Sequence, residues 1–362
     1  MKKSVEILKF TALFVVILFT GCANTTSDFT SDTSTVSENL NESSADTIEV
    51  SENVAETNDE SPALLELSGN PDDVVQTEDN AYIVGDKCVI FIEKGCKIPG
   101  NFLVAVEDVI TELENQTGTK FNNDSIYNEV HCGEILEYYY GPDYWNGYYG
   151  DSDKVYIVLI NEDEHKDAIP CAMSRTALFV DPYIQVNEQG IGVVGHELLH
   201  SLMWCNHEHY ESKITEGLAS YWQVNLVQYL PEYAVSYYDK DESYFGFHDG
   251  EINAQTAETL YLTEYDRTDG NQPYEYGFGL ITYLYETYSV DGVNDFLTYL
   301  DTKLMEERRK QGEEDWTDEE LYNNIYDVDS LEFEVNILKE YYGEDFFTEF
   351  GTWYSDNESR FY

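Results

Sequence analysis

The pattern of apolar and polar positions changes about halfway along the chain. In the first half, short apolar runs rich in β-branched residues predict buried or half-buried strands. These runs cover residues 82–84, 88–92, 155–160 and 176–180. Among them, residues 102–114 have the periodicity of a helix, which is expected to end before Gly118. Strands are therefore expected to dominate residues 81–185.

In the second half, apolar residues recur at spacings of three and four, which is typical of helices that bury one face. The predicted helices lie around 191–204, 213–229, 273–288, 293–304, 317–326 and 343–354. Strands first and helices afterwards predict an α+β fold, with a strand-rich part at 81–185 followed by a helical part at 186–362.

The first of these helices carries a motif with definite chemistry. Its apolar positions, Ile191, Val194, Leu198 and Leu202, occupy one side. His196 and His200 project together from roughly the opposite side, because residues four apart share a helix face. The segment reads His-Glu-x-x-His, so two imidazoles can reach one metal ion. Glu197 lies about 100° round the helix, beside the metal, where a general base would be needed.

Two histidines are not enough for a catalytic zinc ion, which normally has three protein ligands. One known arrangement places a third histidine six residues after the second, with a glycine between them. Here those positions hold Asn206 and Met203, so that arrangement is excluded. His207 and His209, on the short connection after the helix, are alternatives by residue type.

The segment Thr215-Glu216-Gly217-Leu218-Ala219-Ser220-Tyr221 begins the next predicted helix. Together with His-Glu-x-x-His, its pattern Thr-Glu-Gly-x-Ala-x-Tyr resembles the gluzincin metallopeptidases, the thermolysin-like group. The resemblance is close over residues 190–225 and loose to about 300. It implies a zincin-like fold with the zinc site at the junction of the strand-rich and helical lobes.

Carried over to this chain, the resemblance implies that His196, His200 and Glu216 bind one zinc ion and that Glu197 is the base. One position departs from the pattern. Ser220 stands where thermolysin has an Asp that supports a ligand histidine, so another residue must give that support.

The resemblance implies two further features. Some gluzincins use a tyrosine of the later helix to stabilise the tetrahedral intermediate, and Tyr274 or Tyr276 would serve here, with core packing as the alternative for each. The strand before the active helices commonly forms a sheet edge that pairs with extended substrate. By position that strand is 172–180, with an interior strand as the alternative.

The N-terminus predicts export and lipid attachment. A basic start, Met1-Lys2-Lys3, precedes an apolar run at 10–19 that is shorter than the roughly 20 residues of a spanning helix. The run ends in Phe19-Thr20-Gly21-Cys22, which resembles a bacterial lipobox with Phe19 where Leu is commoner. We expect residues 1–21 to be a signal peptide and Cys22 to anchor the protein on the extracytoplasmic face of the cell membrane. The alternative is an ordinary cleaved signal and a secreted product.

Residues 22–80 predict a disordered acidic tether. They are rich in Ser, Thr, Asn, Asp and Glu and almost free of aromatic residues after Phe29, so they bury too little apolar surface to fold. The formal net charge of the chain is −53, which argues against nucleic acid as a partner and against electrostatic attachment to anionic lipid. Membrane attachment is therefore expected through the lipid at Cys22 alone.

Besides Cys22, the chain has five cysteines, so at most two disulfides can form. Cys88 paired with Cys96 would close a hairpin. The sequence contains no Cys-x-x-Cys, which argues against a zinc–thiolate site.

Together these features predict a surface lipoprotein whose domain, residues 81–362, hydrolyses peptide or protein substrates with one zinc ion. Glu197 would take the proton of the attacking water and pass it to the leaving amine. Two alternatives stay open. One is a non-catalytic binding lipoprotein with the same fold, for which Glu197 would have no purpose. The other is a hydrolase of a different amide, such as a cell-wall peptide, which uses the same chemistry.

Overall fold

The computed structural model describes residues 63–65, 73–122, 154–166, 168–173, 175–181, 190–207, 212–230, 251–263, 272–311, 317 and 330–361. The predicted signal peptide, Cys22, most of the tether, Cys132, His209 and the helix predicted at 317–326 (except Thr317) lie outside these ranges. No helix within the ranges combines the length and apolar content needed to cross a lipid bilayer.

In the described ranges, eight strands come first. They are β1 (Ala63–Leu64), β2 (Val74–Gln76), β3 (Ala81–Val84), β4 (Cys88–Ile92), β5 (Lys97–Pro99), β6 (Val155–Ile160), β7 (Cys171–Met173) and β8 (Thr176–Val180). Six of them form one mixed sheet in the order β1-β3-β4-β6-β8-β7, and β2 pairs with β5. The neighbours β4, β6 and β8 run parallel and are buried along their whole length. Such strands read as continuous apolar runs because both faces of the sheet are covered.

Helices follow the strands, with one exception, α1 (Phe102–Thr117). The others are α2 (Gly190–Asn206), α3 (Ser212–Asn225), α4 (Ala257–Leu262), α5 (Gln272–Gln311), α6 (Leu331–Tyr342) and α7 (Phe346–Asn357), with 3-10 turns at Leu226–Gln228 and Glu358–Arg360. The element α5 is two helices joined at a kink, because Ser289 has φ 65° and ψ 172°. The predicted α+β class is confirmed.

Two helices, α4 and α6, were not predicted. The six residues of α4 are too few to show a helical period. In α6 the missed signal was a start motif: the Ser330 side chain accepts a hydrogen bond from the Phe333 amide and caps the first turn.

The folded region begins earlier than predicted, so the tether assignment of 22–80 is wrong at its C-terminal end. Strand β1 pairs in parallel with β3, and β2 pairs in antiparallel fashion with β5. The Thr77 hydroxyl, buried just after β2, donates to the Glu93 carbonyl at 2.8 Å. Strands of two and three residues carry no recognisable pattern, because backbone hydrogen bonds to distant segments hold them in place.

Helix α2 packs against strands β7 and β8 of the sheet and against helices α1 and α3. Within α2, Ser201 donates to the carbonyl of Thr176 in β8 at 3.2 Å. Helix α3 in turn crosses α5 with backbones in contact: a Cβ on Gly217 would lie 2.5 Å from the Gly277 carbonyl carbon. Because Glu216 directly precedes Gly217, this crossing places the start of α5 next to Glu216.

Four cysteines lie in the described ranges, Cys88, Cys96, Cys171 and Cys205, and all are free thiols. The Cys88–Cys96 bridge allowed by the sequence is not formed. Burial raises the pKa of both thiols well above its ordinary value, so neither is a reactive thiolate at neutral pH.

Candidate metal centre

Two helices bring three potential metal ligands together. Helix α2 supplies His196 and His200, and α3 supplies Glu216. The Nε2 atoms of the two histidines are 3.1 Å apart, and Glu216 Oε2 lies 3.2 Å from each. In the described part of the chain this is the one group of three or more His, Cys, Asp or Glu side chains arranged to hold a metal ion.

The spacing of these three atoms fits zinc. Zinc–ligand distances of roughly 2.0–2.1 Å in tetrahedral geometry place neighbouring ligand atoms about 3.3 Å apart. The observed separations of 3.1 and 3.2 Å are close to that value. Two imidazoles and one carboxylate also form a known catalytic zinc set, in which the fourth position stays open for water or substrate.

The proton positions at His196 also favour a cation. Its Nδ1 lies 2.9 Å from Gln223 Oε1, and an amide oxygen can only accept, so the contact is attractive when Nδ1 carries the proton. The Nε2 atom of the same ring then faces the carboxylate oxygen of Glu216 at 3.2 Å. A positive charge between these two atoms, either a proton on the ring or a metal ion, makes this contact attractive.

The charge of Glu216 suits this role. Burial alone would raise the pKa of its carboxyl, but the two neighbouring imidazoles, His200 before His196, hold that pKa well below its ordinary value. Glu216 is therefore an anion at neutral pH, as a metal ligand must be.

Glu197 differs from the three clustered residues. Its side chain is buried, and it makes no hydrogen bond to any residue in the described ranges. Burial raises its pKa to about 7; His196 opposes this rise and the negative charge of Glu216 adds to it. A carboxyl group with a pKa near neutrality can take up a proton and give it back, which is the property of a general acid–base catalyst.

The two candidate tyrosines occupy different environments. The ring of Tyr274 lies 6.1 Å from that of His196, centroid to centroid. Tyr276 is fully buried against Tyr261 and Phe350, and its hydroxyl donates to the Ala257 carbonyl at 2.7 Å. Positions two apart in a helix point about 200° away from each other, so only Tyr274 borders the centre.

The residue that supports His196 was not identified from the sequence. Gln223 lies two turns after Glu216 on the same face of α3, and its amide oxygen meets the His196 ring. Ser220, between them, is fully buried, and its hydroxyl has no hydrogen-bond partner in the described ranges. The sequence signal that could have identified Gln223 is its spacing of seven residues from Glu216, because residues seven apart lie on the same face of a helix.

The alternative ligand His207 is not brought to the cluster. Its Nδ1 lies 2.8 Å from Asp301 Oδ2, and the buried pair joins the end of α2 to α5. The other alternative, His209, lies outside the described residues.

The segment 172–180, for which the sequence left an edge strand and an interior strand open, contains most of β7 and all of β8. Strand β8 is interior, between β6 and β7. In the sheet as described, β7 forms the edge and packs against the helix that carries the two histidines.

Comparison of the chain with protein-family models, with curated proteins and with solved structures found no match. The function of this centre must therefore be inferred from its own residues.

Proposed function

We propose that this chain is a zinc-dependent metallopeptidase of the gluzincin type. The observation that carries the proposal is that three potential metal-ligand atoms, one each from His196, His200 and Glu216, lie 3.1–3.2 Å apart. Beside them lies a buried carboxyl, Glu197, with a pKa of about 7. A site that only stored zinc would have no use for that carboxyl.

Zinc supplies Lewis acidity to a site of this kind, making water a better nucleophile and a peptide carbonyl a better electrophile. Glu197 accepts a proton as water attacks the carbonyl carbon, and the same carboxyl returns it to the leaving nitrogen. We assign the Tyr274 hydroxyl, rather than that of Tyr276, to donate to the carbonyl oxygen as its negative charge develops. Tyr276 is excluded because its hydroxyl already donates to the Ala257 carbonyl.

The proposed substrate is a peptide or protein in extended conformation. Such a chain would pair with the backbone of β7, which packs against the metal-bearing helix. Backbone pairing at a sheet edge binds peptides with little dependence on side chains.

The proposed location is the extracytoplasmic face of the membrane, with Cys22 as the lipid-modified residue. This rests on the sequence Phe19-Thr20-Gly21-Cys22. Cys22→Ala should move the protein from the detergent phase to the soluble fraction. Equal release of the wild-type protein would favour a secreted product.

The decisive experiment is a peptide-library digest read by mass spectrometry, with the protein zinc-loaded, chelated and then resupplied with zinc. We expect one zinc per chain and cleavage that stops and returns with the metal. Zinc binding without cleavage across a diverse library would favour the binding lipoprotein. Cleavage confined to cell-wall peptides would favour the other hydrolase.

A further inference from the structure

We infer that Gln223 is the positioning residue of the proposed metal centre: its amide oxygen accepts a hydrogen bond from His196 Nδ1–H and so fixes the tautomer and the direction of that ring. The inference rests on the proposed zinc function. It assigns to a neutral amide the support that Ser220, standing at the position of the thermolysin Asp, does not give.

The geometry of α2 and α3 brings Gln223 to His196. Gly192 lies one turn before His196 on the same face of α2. A Cβ added to Gly192 would lie 3.4 Å from Gln223 Cγ and 3.5 Å from its backbone oxygen. These are ordinary van der Waals distances, so α2 and α3 are in contact at the level of Gly192 and Gln223. At this contact Gln223 Oε1 lies 2.9 Å from His196 Nδ1.

The two ligand histidines are supported unequally. Within the described ranges, the polar contacts of His200 are made by Nε2, the atom that faces the cluster. His196 alone has a side-chain partner at the ring nitrogen that faces away. Removing the Gln223 amide should therefore release one of the three ligands, with no second support to compensate.

The chemical character of the partner also matters. A carboxylate at this position raises the basicity of the histidine and tightens metal binding. The amide of Gln223 fixes the ring without adding a negative charge beside Glu216 and Glu197. Gln223→Glu should therefore bind zinc at least as tightly as wild type, and Gln223→Leu should bind it more weakly.

The first test measures zinc affinity by competition with a chromophoric chelator. We expect Gln223→Leu to bind zinc about 10- to 100-fold more weakly, while the melting temperature of the metal-free protein changes little. The matched control is Gln228→Leu, because Gln228 is exposed and its amide contacts only Asn225 among the described residues. Equal zinc affinity in Gln223→Leu and wild type would overturn the inference and leave the proposed zinc site intact.

The second test needs neither metal nor activity. The full chain is labelled with 15N-histidine, chelated, and its imidazole nitrogens are observed by NMR at a pH where the rings are neutral. We expect the Nδ1–H tautomer at His196 in wild type and Gln223→Glu, and its loss in Gln223→Leu. An Nε2–H tautomer in wild type would mean that the amide is turned round, and would overturn the inference.

The two tests separate the possible failures. A wild-type chain that binds no zinc removes the proposed function, and the tautomer still decides whether Gln223 orients His196. If Gln223→Leu does not fold, Gln223→Glu decides: looser zinc binding or a changed tautomer in that variant contradicts the inference.

Discussion

Two groups of polar side chains meet α3 one turn apart, the first at Lys213 and the second at Glu216. They differ in how their polar atoms are hydrogen-bonded. In the first, Tyr261 donates to Glu334 at 2.5 Å, and Lys213 donates to the Thr263 carbonyl at 2.7 Å while lying over the Tyr261 ring. The second is the candidate metal centre, which Glu216 joins one turn further along α3.

In the first group, the polar atoms named above are hydrogen-bonded to other protein atoms. Glu334 is fully buried and accepts a hydrogen bond from the Tyr261 hydroxyl, as a buried structural carboxylate should. At the candidate metal centre, by contrast, two ring nitrogens and a carboxylate oxygen lie within 3.2 Å of one another, and the Glu197 side chain has no hydrogen-bond partner in the described ranges. This contrast supports the proposal that the cluster of His196, His200 and Glu216 binds a metal ion.

The largest expected effect comes from removing the third ligand. Glu216→Ala should lose zinc and with it all measurable hydrolysis, because two histidines do not hold a catalytic zinc ion. The matched variant His207→Ala should keep its zinc, since His207 pairs with Asp301. Bound metal in the two purified proteins decides between them. The reverse order would place the centre on the connection after α2.

A second experiment makes the same substitution in both groups. Glu197→Gln should keep zinc and fold but lose about 10²- to 10⁴-fold in kcat, because the base is gone. Glu334→Gln should instead lower the free energy of unfolding by about 1–3 kcal/mol and leave kcat of the folded protein unchanged. Zinc content, kcat and urea unfolding are measured for both. Wild-type kcat in Glu197→Gln would refute the proposed proton transfer.

The two tyrosines extend the comparison to α5. Tyr274→Phe should lower kcat by about 10²-fold with little change in stability, because it removes a donor to the developing oxyanion. Tyr276→Phe should leave kcat unchanged and cost about 1 kcal/mol of stability, since it removes a buried hydrogen bond to Ala257. Equal kcat losses in both variants would contradict the assignment to Tyr274.

The last prediction concerns the stability of the chelated protein against pH. Burial raises the pKa of Glu197 from 4.5 to about 7, so between these values the native state binds more protons than the unfolded state. The unfolding free energy should therefore fall as pH rises through this window, by about 3 kcal/mol in total. Glu216 acts in the opposite direction and only below the window, because its pKa is lowered.

This prediction is checked by urea unfolding at about pH 5 and about pH 8 in the presence of a chelator. Glu197→Gln should lack the fall, since glutamine does not titrate. An equal fall in wild type and variant would mean that Glu197 is not the group responsible.

Several features follow from the sequence because they depend on neighbours along the chain. The continuous apolar runs at 155–160 and 176–180 predicted buried strands, and both are found. Helical periodicity alone put His196 and His200 on one face of α2, because that relation needs only 3.6 residues per turn. The same rule separates Glu197 from both.

Other features depend on contacts between distant segments, and only the tertiary structure decided them. The packing of α3 against α2 brings Glu216 to the two histidines and Gln223 to His196. The buried environment of Tyr276 left Tyr274 at the centre. Local periodicity predicts the direction in which a side chain projects from its own helix. The side chains that it contacts depend on how closely two helices pack, as at the crossing of Gly217 and Gly277.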